Sequence, residues 1–248
     1  MALECVTVNT RPDLDEEAGA AFRERWPEFI FHDPISRAYV DRAEQYFPEF
    51  QVFLLDDGRV AAGGWGVPFA YDGDTAGLPD GYDGTLVRAI DGHEAGTAPT
   101  AFSFMAAAVH RDHDKRGLAQ EVLRQLTTRA RDAGLTSVFA PIRPTWKSRY
   151  PNVPMARYAT WRRADGLSID PWIRTHQRMG ARIIGAAPRS MVIPGTVAEW
   201  ETWAGMLFPE SGEYVVPEAL NLVRVDREND SVVYEEENLW VEHDMPER

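Results

Sequence analysis

Residues 101–134 read AFSFMAAAVHRDHDKRGLAQEVLRQLTTRARDAG, and their pattern decides the fold. Ala101 to Val109 is a short apolar run with one serine, the pattern of a strand covered on both faces. From Gly117 or Leu118 the period changes. Leu118, Val122, Leu123, Leu126 and Ala130 fall at helical spacing and form one apolar stripe. Gln120, Glu121, Arg124, Gln125, Thr128, Arg129 and Arg131 fall mostly on the opposite side, and Gly134 suits the position after the last turn. Between strand and helix lies Asp114-Lys115-Arg116-Gly117-Leu118-Ala119. A helix start has unpaired amides and the positive end of the dipole. Gly117 lets a ligand approach the backbone closely, and Lys115 and Arg116 add positive charge. The stretch is therefore a candidate phosphate or pyrophosphate site; the bland alternative is a sharp turn with solvated cations.

Working outward, Leu135–Ile142 reads as a second buried strand, so strand, helix and strand imply parallel pairing through a right-handed crossover. Upstream, Phe50–Leu55 and Arg59–Pro68 are two apolar runs joined by Asp56-Asp57-Gly58, a hairpin signal. Ala2–Asn9 reads as a first strand and Asp13–Trp26 as a helix capped by Asp13. Asp33-Pro34 opens a second helix that ends before Pro48. Phe69–Pro99, rich in Gly, Asp and Pro, reads as loop with a short helix at Thr85–Ile90. Downstream, Arg143–Ser168 is a long loop interrupted by Pro144, Pro151, Pro154 and Gly166. Asp170 caps a helix with Pro171 at its first position and Gly180 at its stop. Arg182–Gly185 and Arg189–Pro194 read as strands paired across Ala186-Ala187-Pro188. Thr196 with Glu199 forms a capping box for a helix to Leu207. Short apolar pieces follow: Tyr214–Val216, Leu220–Val225, Ser231–Tyr234 and Leu239–Val241.

The chain of 248 residues carries a net charge of −13, unevenly spread. Residues 111–182 hold a balance of +9, and the remainder −22. An acidic chain is poorly suited to sequence-independent nucleic-acid binding, whereas a basic centre within it can concentrate an anionic ligand. Its single cysteine, Cys5, excludes an internal disulfide and lies in the alternation Leu3, Cys5, Thr7, as a strand residue would. With no bilayer-length apolar run and no signal-like N-terminus, a cytoplasmic location and no membrane partner are expected. His110 and His113 have no third ligand nearby, so no metal is expected. Neither a Gly-x-Ser-x-Gly elbow nor a phosphate-loop motif occurs.

The stretch Val109-His110-Arg111-Asp112-His113-Asp114-Lys115-Arg116-Gly117-Leu118-Ala119 resembles the acyl-coenzyme A signature of the GNAT superfamily of N-acetyltransferases. Val109 matches its strand end, and Gly117 and Ala119 match its last two small positions. Asp114, Arg111 and Lys115 stand where that family usually has Arg or Gln, Pro, and Gly. The resemblance covers roughly residues 1–195, giving an acyltransferase domain over 1–195 and an acidic extension over 196–248. It implies an α/β fold with a mixed, mostly antiparallel sheet and one parallel strand pair that splays apart. It further implies an acetyl-CoA-dependent transfer to the amine of a small molecule. Ala107, Val109, Asp114, Lys115, Arg116, Gly117, Leu118, Ala119 and Gln120 would hold the donor. His176 stands four residues before Gly180, where the family often has the tyrosine that protonates the departing thiolate, and a histidine suits acid or base work near neutral pH.

The segment from Asp170 also looks like the GNAT-like loading domains of polyketide synthases, which pair this histidine with a threonine. Thr145 is the nearest candidate. Trp146, Trp161 and Trp172 would then wall the acceptor site, or the loop aromatics simply pin their loop to the body. Three functions stay open: transfer to an amine, transfer to or from an acyl carrier protein, and non-catalytic acyl-CoA binding. A homodimer also stays open.

Overall fold

The computed structural model describes residues 3–245. The expected strand start at Ala2 and the last residues of the extension lie outside them. Among the described residues nine strands form one sheet: β1 (Glu4–Thr7), β2 (Gln51–Asp56), β3 (Arg59–Phe69), β4 (Ala101–Val109), β5 (Ser137–Ile142), β6 (Arg182–Gly195), β7 (Gly212–Tyr214), β8 (Val223–Asp226) and β9 (Ser231–His243). The helices are α1 (Asp15–Arg23), α2 (Pro34–Tyr46), α3 (Gly81–Glu94), α4 (Leu118–Asp132), α5 (Met155–Tyr158), α6 (Pro171–Arg178) and α7 (Val197–Ala204). The strand order is β1-β2-β3-β4-β5-β9-β8-β7, with β6 along the other edge of β9. Every pairing is antiparallel except β4 with β5. No helix among the described residues is long and apolar enough to cross a membrane.

The organising stretch folds as its period dictates. Leu118, Val122, Leu123, Leu126 and Ala130 are all buried, and α4 packs this stripe on β2, β3 and β4. The β2–β3 hairpin turns through Asp57 at φ 51° and Gly58 at φ 79°, the left-handed pair that matches strand twist. Asp33 caps α2 by accepting from the Ser36 amide at 2.7 Å. Asp13, expected as the cap of α1, instead pairs with Arg11 at 2.7 Å, because a single 3-10 turn over Pro12–Leu14 intervenes.

Three expectations give way to long-range packing. The region read as loop with a helix at Thr85–Ile90 contains α3, fourteen residues long. Its glycines and aspartates hide it from local propensity, but Thr85, Leu86, Ala89 and Ile90 are buried. Arg182–Gly185 and Arg189–Pro194 are not a hairpin: they are one strand, β6, paired with β9. Pro188 falls where the register shifts between Ala187 and Met191, so its missing N–H breaks no ladder bond. Likewise, Ser231–Tyr234 and Leu239–Val241 belong to one strand, β9. Its last residues pair with β5 and its first with β8, so a strand from the segment set apart as an extension lies inside the sheet.

At the start of α3 two carboxyls are buried together. Asp33 Oδ2 and Asp83 Oδ1 have no hydrogen-bond partner among the described residues, while Asp83 Oδ2 accepts from the Val192 amide at 3.2 Å. Burial, with the Asp33 charge beside it, pushes Asp83 up to about 9, so Asp83 holds a proton at neutral pH. The unfolded chain releases that proton near 3.8. Stability from this site is therefore complete below about pH 4 and declines as pH rises toward 9. Asp83→Asn, which keeps one acceptor and supplies a permanent donor, is expected to raise Tm at pH 8.5 and to change it little at pH 4; thermal melts across that range are the check.

Candidate active site

The parallel pair separates soon after it forms. Ala101, Phe102 and Ser103 pair with Ser137, Val138 and Phe139, and there the ladder ends. β4 continues to Val109 paired only with β3, and β5 runs on to Ile142 paired along its other edge with β9. One edge of Phe104–Val109 thus lacks a strand partner. Opposite Trp65 and Gly66 the register skips Met105, a bulge that bends β4 where the gap opens.

Past Val109 the chain leaves β4 through a 3-10 turn over Arg111–His113 and enters α4. Gly117 caps the helix at φ 76° and Lys115 also has positive φ, 64°. The first helical bond is from Glu121 N to the Gly117 carbonyl at 3.3 Å, and no side chain caps the end. The amides of Leu118, Ala119 and Gln120 are therefore donors without a main-chain partner. Arg116 is held by Asp56 at 2.6 Å. Asp114 is held by Arg25 at 2.6 Å, whose Nε donates to the Val109 carbonyl at 2.8 Å. The carboxylate that departs from the family signature is thereby neutralised by a cation from outside the motif. Lys115 is exposed and makes no ion pair among the described residues.

A cavity of about 350 Å³ occupies the splay. Phe104, Met105, Ala106 and Ala107 of β4, and Ala140, Pro141 and Ile142 of β5, form two of its sides. Trp172 and His176 of α6 also line it, as do Arg37 of α2 and Arg143, Glu236 and Asn238. A second cavity of about 450 Å³, bounded by α1, shares Trp26, Phe31, Trp65 and Ala106 with the first.

His176 is held firmly. Asp170, fully buried, caps α6 through Oδ1, accepting from the Trp172 and Ile173 amides at 2.9 and 3.1 Å. Its Oδ2 accepts from Tyr158 Oη at 2.8 Å and from the Trp146 amide at 2.7 Å. The same carboxylate therefore anchors the loop and the helix that carries the histidine. Trp172 stands edge-on to the imidazole at 4.6 Å. His176 Nδ1 lies 2.8 Å from His243 Nε2, and His176 Nε2 is buried without a partner among the described residues. Burial, with His243 alongside, pulls the His176 pKa well below 6.5; burial also lowers His243 to about 4, against the pull of Asp244. Both rings are neutral at physiological pH.

Fully buried Glu236 and partly buried Arg143 form an ion pair on the cavity wall. Arg143 Nε donates to both Glu236 oxygens at 3.0 and 3.1 Å, with Tyr234 Oη at 2.7 Å and Asn238 Nδ2 at 2.9 Å completing the carboxylate's shell.

Of the residues singled out in the sequence, Ala107, Trp172 and His176 line the first cavity, and residues 114–120 stand at the start of α4. Thr145 is exposed and lines neither cavity. Trp146 lies under Arg149, and Trp161 packs with Tyr150 and Tyr158 at 5.0 and 5.4 Å. Buried Lys147 donates to the Leu220 carbonyl at 2.5 Å, so this part of the loop is pinned to the C-terminal segment, and of the loop it is Arg143, at its start, that lines the first cavity. His243, Glu236, Asn238 and Arg143 escaped the sequence reading as site residues. A signal existed for two of them: in Val232, Tyr234, Glu236, Asn238 and Trp240 every second residue is buried, and a carboxylate and an amide interrupt an otherwise apolar face.

An unpaired strand edge, an amide-rich helix start in the segment that follows it and a neutral histidine lining the cavity suit transfer from an anionic thioester donor to a nucleophile. Comparison with known proteins gives the family. No family model matches the chain. It is 31% identical to the arginine N-acetyltransferase AvaD of Aspergillus versicolor, over 96% of this chain and 92% of that protein. Its fold is similar to the loading GNATL domain of CurA from Lyngbya majuscula, with a TM-score of 0.61 and 17% identity over 98% of this chain and 97% of that one. The GphF GNAT-like decarboxylase, solved with isobutyryl-CoA, gives a TM-score of 0.59 at 17% identity, over 99% of this chain and all of that one. The chain belongs to the GNAT superfamily of N-acetyltransferases. It is an N-acyltransferase.

Proposed function

We propose that the chain acetylates the α-amine of arginine, or of a closely similar guanidino amino acid, with acetyl-CoA as donor. Identity of 31% to an arginine N-acetyltransferase along nearly the whole chain carries the acceptor class. The amides of Leu118, Ala119 and Gln120, with Lys115, bind the donor's pyrophosphate. The unpaired edge of β4 at Ala107–Val109 pairs with the pantetheine arm and brings the thioester to the bulge at Met105, where backbone amides stabilise the oxyanion. His176 handles the proton of the amine and of the departing sulfur. The α-amine is the nucleophile because a guanidinium stays protonated throughout the physiological range. Arg37 supports an amino-acid acceptor: it lines the cavity, is exposed on α2 and makes no ion pair among the described residues, so it is placed to take a carboxylate.

Thiol release from acetyl-CoA, with mass spectrometry of the product, tests this reading. Arginine is expected to be acetylated on its α-nitrogen, and agmatine, which lacks the carboxylate, to be a poorer acceptor. Arg37→Ala should raise the KM for arginine by about tenfold, the loss of one charge-assisted hydrogen bond, and leave agmatine unchanged. Equal use of arginine and agmatine by the unaltered protein would contradict the assignment of Arg37.

A further inference from the structure

His243 takes no part in the sequence motifs, lies 67 residues from His176 in the chain, and yet makes the single hydrogen bond of the His176 ring among the described residues. Topology brings them together. β9 runs along β5, with His243 opposite Val138, and α6 leads into β6 on the other edge of β9. Both rings are almost wholly buried, and the Phe104 and Trp172 rings meet them edge-on.

A bond between two neutral imidazoles has two forms, and they leave His176 Nε2 either protonated or bare. One observation favours the bare form. His176 Nε2 is buried with no partner among the described residues, and an orphaned N–H is rarer in folded proteins than an under-satisfied acceptor. In that form His243 accepts at Nε2 and carries its own proton on Nδ1, the nitrogen nearer the main chain.

We infer that His243 is the positioning residue of the reaction: its Nε2 accepts the Nδ1–H of His176 and thereby keeps His176 Nε2 a bare lone pair available to the acceptor amine. The inference rests on the acyl transfer proposed above. The neutral amine nitrogen attacks the thioester carbonyl carbon, a C–N bond forms, and the carbonyl π pair moves to oxygen. The amine proton passes to His176 Nε2. The oxygen pair then re-forms the carbonyl, the C–S bond breaks, and sulfur takes that proton back from Nε2. His176 is cationic only between these transfers, and the bond to His243 disperses that charge. The pair ends as it began. His243 thus stands where a hydrolytic triad places a carboxylate, but without a fixed charge.

Two measurements on the full chain test this. In ¹⁵N-histidine-labelled protein, long-range ¹⁵N–¹H correlation is expected to show His176 protonated at Nδ1; protonation at Nε2 would overturn the proposal. In kinetics with acetyl-CoA and arginine, His243→Phe is expected to lower kcat roughly 10- to 100-fold with both KM values within about twofold. His243→Gln, whose amide oxygen can accept the same bond, should recover most of that loss. An unchanged kcat in His243→Phe, or a loss appearing only in KM, would overturn it. Should His243→Phe fail to fold, His243→Gln and the tautomer in the unaltered protein decide. If the unaltered protein does not acetylate arginine, the acceptor assignment fails, while the tautomer still tests the pair.

Discussion

Replacing His176 by alanine is expected to lower kcat by about two to four orders of magnitude, the usual contribution of a positioned acid–base group. The KM for acetyl-CoA should change little, because the groups proposed to bind the donor lie on β4 and at the start of α4, not on α6. An equal fall in kcat and kcat/KM would mark an interaction made only in the transition state. The pH profile adds a second reading. Burial and His243 hold the His176 pKa well below 6.5. Its neutral, proton-accepting form therefore persists as pH falls through 6.5, so kcat should not halve there. A kcat that titrates near 6.5 in the unaltered protein and loses that titration in the variant would show an ordinary, solvated histidine instead.

The second large effect is on the fold. Arg143→Met would leave Glu236, fully buried on β9, without its cation. Removing one partner of a buried pair typically costs about 3–5 kcal/mol, since the remaining charge is stranded in a low-dielectric site. Tyr234 and Asn238 still donate to Glu236, which argues for the lower end. Adding Glu236→Gln to Arg143→Met should recover much of the stability, because it removes the stranded charge. Denaturant unfolding of the four proteins measures this. Full additivity of the two substitutions would mean that the pair is not coupled.

The parts of the molecule legible in its sequence are those whose signal is local. β4, the turn and α4 follow from a change of period at Gly117, the hairpin from Asp57-Gly58, and α6 from Asp170-Pro171 and Gly180. His176 could be singled out because it lies on such an element, four residues before its glycine stop. The rest depends on pairings between distant segments. α3 is held by burial of Leu86 and Ile90 despite three glycines within it. β6 reads as two strands because Pro188 falls at its bulge. β9 looks like acidic, broken strand pieces because its two halves pair with different neighbours, β8 and β5. His243 and Glu236 reach the site on that strand, and no local period announces them. Thr145, Trp146 and Trp161 show the converse: residue types suited to a site lie on the part of a loop that Asp170 and Lys147 tie down away from the cavities.

The proposed donor site makes a spatially confined claim: the edge of β4 left unpaired beyond Ser103, and the open first turn of α4, bind the acyl donor. Amide hydrogen exchange with and without acetyl-CoA tests it most directly. Unpaired amides exchange readily, and occupation by the pantetheine and pyrophosphate would slow them. Slowed exchange confined to Phe104–Val109 and residues 115–120 is the expected result. Saturating acetyl-CoA that leaves both segments unchanged, or that protects a different face of the sheet, would contradict it.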